Sequence, residues 1–539
     1  MENLPTNILV KIFEQLSNND LISVCRVSKK FNSVIIDFMA IKFPPVRIDF
    51  QYLHFNKVQK FTYKDDKDFN CLMESTRLYQ NYIFVNFNKE HTDRLGNKWL
   101  QLFKKQINAR CIRIKSDCLD LQQLSNLLKL THRLVFFELD GYRIDKTNEP
   151  LDDSDVANLP SLKHLKIHSF LDTTPQLFKI FNDCTSLKTI SLSALFMVSK
   201  KIKSINDLIF NQKALEVLDL IGLDTHNALF QYDESMHEIK FKLRKLNVEY
   251  NGYSLNLEKF VEFLRHQKSL KEVKLALDLR NSMHTLHDSK LCDEIIRILM
   301  TMRNLSSLSL LVNKYSVKEL DSFNVPSNTC VKKFVFENES GENNNLLLCM
   351  LKSLHNLQHL ELACEYSNDL LAQLPLMMKL KHLKLTDYYQ GLLKTIKCSD
   401  SLESISVKYC YTKNSGSDWH EFLQNHTNIK KIHIDHSIDF VDDAICELIA
   451  GACQKKLEYF VMTDSVAKNI TDIGHLSFQK HCPNIKCLKL TSNNKNTTSQ
   501  YKHQSFHDLL ANIKCVIFFY TFCIIFFILM ILLMVNGKI

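Results

Sequence analysis

Glycine is scarce in this chain, with 10 in 539 residues. That argues against Gly-rich phosphate loops and against the tight-turn economy of a β-sandwich. No G-x-G-x-x-G, Walker, H-E-x-x-H or G-x-S-x-G motif occurs, and no catalytic Cys–His pair is favoured among 21 singly placed histidines. The 17 cysteines are odd in number and scattered, without one C-x-x-C pair. With no signal peptide read ahead of them, they predict reduced, mostly buried thiols in the cytosol or nucleus. The sequons at Asn304, Asn338, Asn469 and Asn496 are then chance matches. Structural zinc needs paired ligands at short spacing, so neither metal nor cofactor is expected. Charge of one sign is also lacking: 68 basic against 59 acidic residues leave +9. Over this length that is too mild to imply nucleic acid.

What is present is a repeat. Apolar-x-x-apolar-x-apolar recurs in fourteen copies, starting at Leu134, Leu162, Leu187, Leu215, Leu243, Leu270, Leu305, Val331, Leu357, Leu380, Leu402, Ile429, Leu457 and Ile485. The step averages about 27 residues, inside the 20–29 range of leucine-rich repeats. Fainter copies are read at Val58-Phe61-Tyr63, Tyr82-Val85-Phe87 and Ala109-Ile112-Ile114. In each copy the two apolar residues at period 2 belong to a short strand and point into the stack. Amphipathic helices are predicted between copies at Leu257–His266, Lys290–Met302 and Asp442–Cys453. In the second, Leu291, Ile295, Ile298, Leu299 and Met302 form the apolar stripe. The longest step, before Leu305, predicts an inserted loop over Asp278–Ser289. No unit buries its own face, so neighbours must stack. The fold class is α/β, a leucine-rich-repeat solenoid of horseshoe form.

The start of the chain has a different pattern. Ile8, Leu9, Ile12, Phe13 and Leu16 make one broad helical face behind Leu4-Pro5, and "SNND" breaks it before a second helical stretch from Leu21 to Val34. Helices totalling about 40 residues bury too little surface to stand alone. Part of that face is therefore expected to meet a partner.

With Asp20-Leu21, Val24 and "RVSKKF" added, residues 2–40 resemble an F-box, with Phe31 where the family usually has Trp. The repeats are similar to those of leucine-rich-repeat F-box proteins. "NITDIGHLSFQKHCPNIKCLKLTS" (Asn469–Ser492) is similar to that family's cysteine-containing repeat, and Cys184, Cys398 and Cys453 also precede their copies by three or four residues. Such a cysteine reads as a small buried hydrophobe closing a turn. The competing reading of the N-terminus is a helical cap on the first repeat, since solenoids need caps. Pro44-Pro45 separates it from the repeats, which favours an independent all-α module.

The resemblance implies a non-catalytic substrate receptor of an SCF-type ubiquitin ligase. A Skp-family adaptor would contact Leu4, Pro5, Ile8, Leu9, Ile12, Phe13, Leu16 and Leu21, and through it a cullin–RING ligase. The alternative is a non-degradative, membrane-tethered repeat scaffold with a vestigial F-box. On the strands, residues flanking the inward pair face the concave side. His164, Lys166, His168, His382, Lys384, Lys431 and His433 are basic there; Asp219, Glu249 and Glu361 are acidic. Two readings stand: a site for an acidic or phosphorylated target segment, or an ordinary solvated face.

Near the C-terminus, Cys515–Val535 runs 21 residues without a charge. As a helix it would extend about 31 Å, enough for a bilayer core. It reads either as a candidate transmembrane helix or as translated AT-rich non-coding sequence. As a tail anchor it would leave the F-box and repeats in the cytosol. The expected organisation is an F-box at 1–40, linker and irregular repeats at 41–130, and leucine-rich repeats at 131–495. A tether at 496–514 would precede the span at 515–535.

Overall fold

The computed structural model describes residues 46–49, 62–63, 81–85, 109–144, 157–168, 175–193, 202–223, 239–250, 257–278, 286–313, 325–338, 345–386, 392–408, 416–435, 442–465, 470–492 and 498–501, with Leu9, Phe13, Leu100, Gln101, Lys104 and Phe230 singly. They fall into two compact units. One is Met1–Val331 with Asn338–Cys349; the other is Lys332–Glu337 with Met350–Ile539.

The first unit contains β1 (Val46–Asp49), β2 (Thr62–Tyr63), β3 (Asn81–Val85), β4 (Cys111–Leu119), α1 (Leu121–Lys129), β5 (Phe136–Ile144), β6 (His164–His168), α2 (Pro175–Lys179) and β7 (Thr189–Ser193). It continues through α3 (Ile202–Phe210), β8 (Val217–Leu223), β9 (Lys245–Tyr250), α4 (Leu257–His266), β10 (Glu272–Asp278), α5 (Leu286–Thr301) and β11 (Ser307–Asn313). Strands β3 to β11 pair in chain order, each parallel to the next. At the other end β1 lies between β2 and β3, parallel to both.

The register explains the repeat. Leu165 and Ile167 pair with Ile190 and Leu192, which pair with Leu218 and Leu220, and all six are fully buried. The first apolar residue of each copy is buried beneath them, as Leu162, Leu187 and Leu215 are. Burying one such side chain contributes about 1.5–3 kcal/mol, so a missing neighbour is felt at once. A shared carbonyl then holds each strand start. Lys163 O accepts from Lys188 N and Thr189 N at 2.7 and 3.0 Å, and Lys188 O accepts from Glu216 N and Val217 N at 2.9 and 3.0 Å.

Three details differ from the sequence reading. The early copy places Tyr82 and Phe84 inward, opposite Ile112 and Ile114, while Val85, read as inward, is half-buried and Phe87 lies outside the described residues. The aromatic run around Tyr82 satisfies either register by composition, and pairing with β4 decides between them. Helix α5 begins at Leu286, inside the stretch expected to be loop. Its buried stripe is Cys292, Ile295, Ile296, Leu299 and Met300, while Leu291 and Ile298 are only half-buried. An aromatic plug was also unforeseen. Phe230 packs on Phe263 at 4.7 Å and Phe260 at 5.1 Å between ring centroids. Its φ of 67° is unusual for a bulky residue, and Asn206 Oδ1 fixes it by accepting from its N–H at 3.2 Å.

The second unit contains β12 (Lys333–Glu337), β13 (His359–Ala363), α7 (Asn368–Leu371), β14 (His382–Thr386), α8 (Leu392–Thr395), β15 (Ser404–Lys408), α9 (Gly416–Asn425) and β16 (Lys431–Asp435). Then come α10 (Asp443–Cys453), β17 (Tyr459–Ser465), α11 (Asp472–His481), β18 (Cys487–Ser492) and β19 (Thr498–Tyr501); α6 (Asn345–Ser353) runs through the boundary between the units. Strands β12 to β18 are parallel in chain order. β19, inside the stretch read as a tether, is antiparallel to β18. It covers an edge whose backbone groups would otherwise lack partners.

Helices α10 and α11 are joined by a side-chain cap. Asp443 Oδ1 accepts from Thr471 N at 2.8 Å and Gly474 N at 2.9 Å, and Oδ2 accepts from Thr471 Oγ1 at 2.6 Å. A Cβ on Gly474 would lie 2.7 Å from that carboxylate, so the approach requires glycine. Partial burial acts to raise the Asp443 carboxyl, but the bonds from Thr471 and Gly474 outweigh it and hold it below the usual range. Among the described residues no helix is long and apolar enough to cross a membrane, and the candidate span at 515–535 lies outside them.

Stacked inward pairs make a definite demand. Leu383→Ala, fully inward on β14, is expected to cost about 2–5 kcal/mol in urea unfolding. Ser406→Ala, on the opposite strand face, should stay within about 0.5 kcal/mol of the parent.

Candidate partner-binding surfaces

Of the eight residues assigned to an adaptor, Leu9 and Phe13 are described. Both are helical, four residues apart, and 0% and 1% exposed. Their burial gives them a part in the chain's own packing. Leu4, Pro5, Ile8, Ile12, Leu16 and Leu21 lie outside the described residues.

The predicted target-facing residues occupy the strand face opposite the inward pairs, because side chains alternate along a strand. In the first unit His164, Lys166 and His168 share β6, each half-buried. His164 Nδ1 is 3.1 Å from Thr189 Oγ1 on the next strand, and His168 bonds the Ser193 hydroxyl. Lys166 lies over the Phe136 ring at 5.7 Å, beside Arg113 at 5.3 Å. This face neutralises much of its own charge: Arg113 pairs with Glu138 at 3.1 Å, and Lys274 pairs with Glu249. Asp219, half-buried on β8, is pushed up by burial, against the pull of Lys245, Lys166 and a bond from Asn247.

In the second unit β14 and β16 bring the other four residues together. Across the intervening β15, His382 aligns with Ser404 and Lys431, and Lys384 aligns with Ser406 and His433. Lys384 is ion-paired with Glu361. Lys431 lies 4.8 Å from the centre of the Tyr459 ring. The sequence reading missed His359, whose ring is 5.7 Å from that of His382, and it missed Lys333 and Lys489. The signal was available, since all three occupy the same repeat positions as the residues it named.

Every one of these histidines is held below its ordinary value. Burial is the largest cause for His164, His168, His359, His382 and His433. Neighbouring lysines add to it: Lys333 acts on His359, Lys431 on His382, and Lys384 and Lys489 on His433. Near neutral pH, the formal positive charge of these strand faces therefore resides on lysine and, in the first unit, on Arg113 as well.

Three positions ahead of the first apolar residue of a copy, the sequence reading named cysteines and overlooked the polar residues of other copies. Cys184 and Cys482 sit there, 1% exposed, with thiols pushed by burial to about 12 and about 11. Both are unreactive packing residues, as the cysteine-containing pattern implies. In other copies the position is polar and satisfies neighbouring backbone. Gln212 Oε1 accepts from Leu187 N at 3.0 Å, and Gln267 Oε1 accepts from Leu243 N at 2.8 Å. Asn328 Nδ2 donates to Met300 O and Met302 O at 3.0 and 3.2 Å. His426 Nε2 accepts from Cys398 N at 2.9 Å, and its Nδ1 donates to Phe422 O at 2.8 Å. That geometry needs the neutral ring. Burial lowers the His426 value more than the bond to Phe422 raises it.

Comparison with known families and structures adds to this geometry. A family model described as F-box-like matches residues 1–40. Comparison with curated proteins found no match. Among solved structures, a leucine-rich-repeat protein of Leptospira interrogans is 15% identical, covering 79% of this chain and 99% of its own, at a TM-score of 0.36. An internalin (InlF) of Listeria monocytogenes is 14% identical, covering 68% of this chain and 83% of its own, at 0.30. TLR13, in its complex with ssRNA13, is 14% identical, covering 80% of this chain and 64% of its own, at 0.38. The assignment of the repeats rests on strand register. In this chain the F-box-like match therefore precedes repeats built on parallel strands.

The lowered histidines make stability depend on pH with a definite sign. The folded chain binds fewer protons than the unfolded chain, so the stability contributed is present above an unfolded value of about 6.5 and is lost as pH falls below it. Melting followed by circular dichroism should show a midpoint that drops as pH falls from 7 through 6. His426→Gln should lessen that drop, because Gln212 and Gln267 make the same kind of bond without titrating.

Proposed function

We propose that the chain is the substrate-recognition subunit of an SCF-type ubiquitin ligase, taking up a Skp-family adaptor through residues 1–40 and a target protein through the repeats. The observation that carries this is the F-box-like match at the N-terminus of a chain whose described repeats form parallel strands. Within residues 1–40, Leu9 and Phe13 serve packing. Leu4, Pro5, Ile8, Ile12, Leu16 and Leu21 are the apolar residues assigned to the adaptor. Through the adaptor the chain joins a cullin and a RING protein, and no reacting group of its own is required. Its contribution is proximity: two reactants held on one assembly meet at a raised effective concentration. The run Cys515–Val535, as a tail anchor, would place this receptor on a membrane with its F-box and repeats in the cytosol.

The test is recovery of adaptor and cullin with the full-length protein from its own cells, beside a Leu4→Ala/Pro5→Ala/Ile8→Ala variant. The receptor reading predicts recovery with the parent and at least about tenfold less with the variant, the size expected when central interface anchors are truncated. Failure of the folded parent to recover any adaptor would contradict it and leave the membrane-tethered scaffold as the better account.

A further inference from the structure

The outer strand face of the second unit has a charge arrangement that its own residues do not complete. Among the described residues Lys384 is matched by Glu361, while Lys333, Lys431 and Lys489 form no ion pair. Lys333 and Lys431 lie in one cross-strand column with His359, His382 and Tyr459, and Lys489 lies in the adjoining column with His433. Beside them, where the strands begin, Glu403 and Glu458 are already taken up by Lys381, Lys430 and Lys486. The third outward column sets Lys408 against Glu337 and Asp435, so the uncompensated positive charge lies in the first two columns, which cross seven strands. At about 4.8 Å between strands this spans about 29 Å, the reach of roughly nine extended residues.

The chemistry of the cations narrows the partner. Residues after Arg303 contain no arginine, so every fixed cation on this face is lysine. Lysine presents a point charge and lacks the planar fork that grips phosphate at two oxygens. Tyr459 is the aromatic residue in these columns, already beside Lys431 at 4.8 Å and Lys486 at 6.0 Å. A single ring is a poor platform for stacking successive nucleic-acid bases. Separate point charges four and two strands apart, about 19 and 10 Å, suit separate carboxylates spaced along an extended chain. We propose that this face binds an extended, Asp/Glu-rich segment of the target, an assignment that rests on the receptor reading above.

A second property follows from the histidines between those lysines. His359 faces Lys333, His382, Glu361 and Lys384; His382 faces Lys431, Lys381 and Glu403; His433 faces Lys384, Asp435 and Lys489. A carboxylate-rich segment laid across them favours their charged forms, so binding takes up protons and affinity rises as pH falls toward 6.5.

The experiment is fluorescence anisotropy of the full-length protein with a labelled peptide of about twelve Asp and Glu residues. A matched Asn/Gln peptide, a phosphoserine peptide and a single-stranded RNA of equal charge are the comparisons. The expected result is binding of the acidic peptide that weakens with salt, strengthens about threefold from pH 7.5 to 6.5, and is absent for the Asn/Gln peptide. Lys333→Gln/Lys431→Gln/Lys489→Gln should weaken it at least about tenfold. Lys394→Gln/Lys455→Gln/Lys480→Gln, on the helical side, should leave it unchanged. Salt-insensitive binding, equal binding by both triple variants, or a preference of about tenfold for phosphopeptide or RNA would overturn the assignment. Adaptor recovery by the Lys333/Lys431/Lys489 variant separates the two readings: it persists if only the strand-face assignment fails, and it is absent from parent and variant alike if the receptor reading fails.

Discussion

Every described repeat leaves the same debt of exposed apolar surface, a strand whose two inward side chains are covered only in part by the first apolar residue of their own copy and by helix residues such as Phe478 beneath Phe460. The surface is covered only when the next strand stands in register, so that Leu165 and Ile167 meet Ile190 and Leu192 and those meet Leu218 and Leu220. A slip of one residue would turn every inward pair outward. The shared carbonyl at each strand start, Lys163 O and Lys188 O among them, holds that register with two hydrogen bonds per copy. Helix lengths and loops vary widely around this alignment. The alignment itself continues through the described strands of each unit.

The same alternation creates the surface proposed to bind a target. Turning one set of residues inward aims the intervening set outward in straight columns, and the columns bring together residues far apart in sequence. His359, His382 and Lys431 occupy one such column across β13 to β16. In the first unit Glu138 and Glu249 absorb charge from Arg113 and Lys274, whereas in the second Lys333, Lys431 and Lys489 keep theirs. The buried positions before each copy, filled by Cys184, Gln212, Gln267, His426 and Cys482, stabilise the stack from its other side. They either pack as small hydrophobes or bond backbone of the neighbouring copy.

Much of this architecture is legible in the sequence because its signal is periodic. Fourteen copies could be placed by their apolar spacing, and α4 spans Leu257–His266 as that pattern predicts. Where the signal was ambiguous, long-range pairing decided. Tyr82 and Phe84 sit in an aromatic run with several acceptable registers, and β4 selects one. The stripe of α5 turned by one position because Cys292 and Met300 are apolar enough to face inward in place of Leu291 and Ile298. Strand β1 gave no repeat signal, since it lies between β2 and β3 and outside the chain order. The roles of Gln212, Gln267 and His426 were invisible because their partners are backbone groups of another copy, about 24 to 28 residues away.

The two proposals together require that one chain hold two partners at once, an adaptor at its N-terminal module and an acidic target segment on its strand face. Native mass spectrometry of the full-length protein with purified Skp-family adaptor and an Asp/Glu-rich peptide measures this directly. The account predicts a ternary species with one copy of each, formed at the same peptide concentration with or without adaptor. Only binary species, or displacement of the peptide by the adaptor, would contradict it.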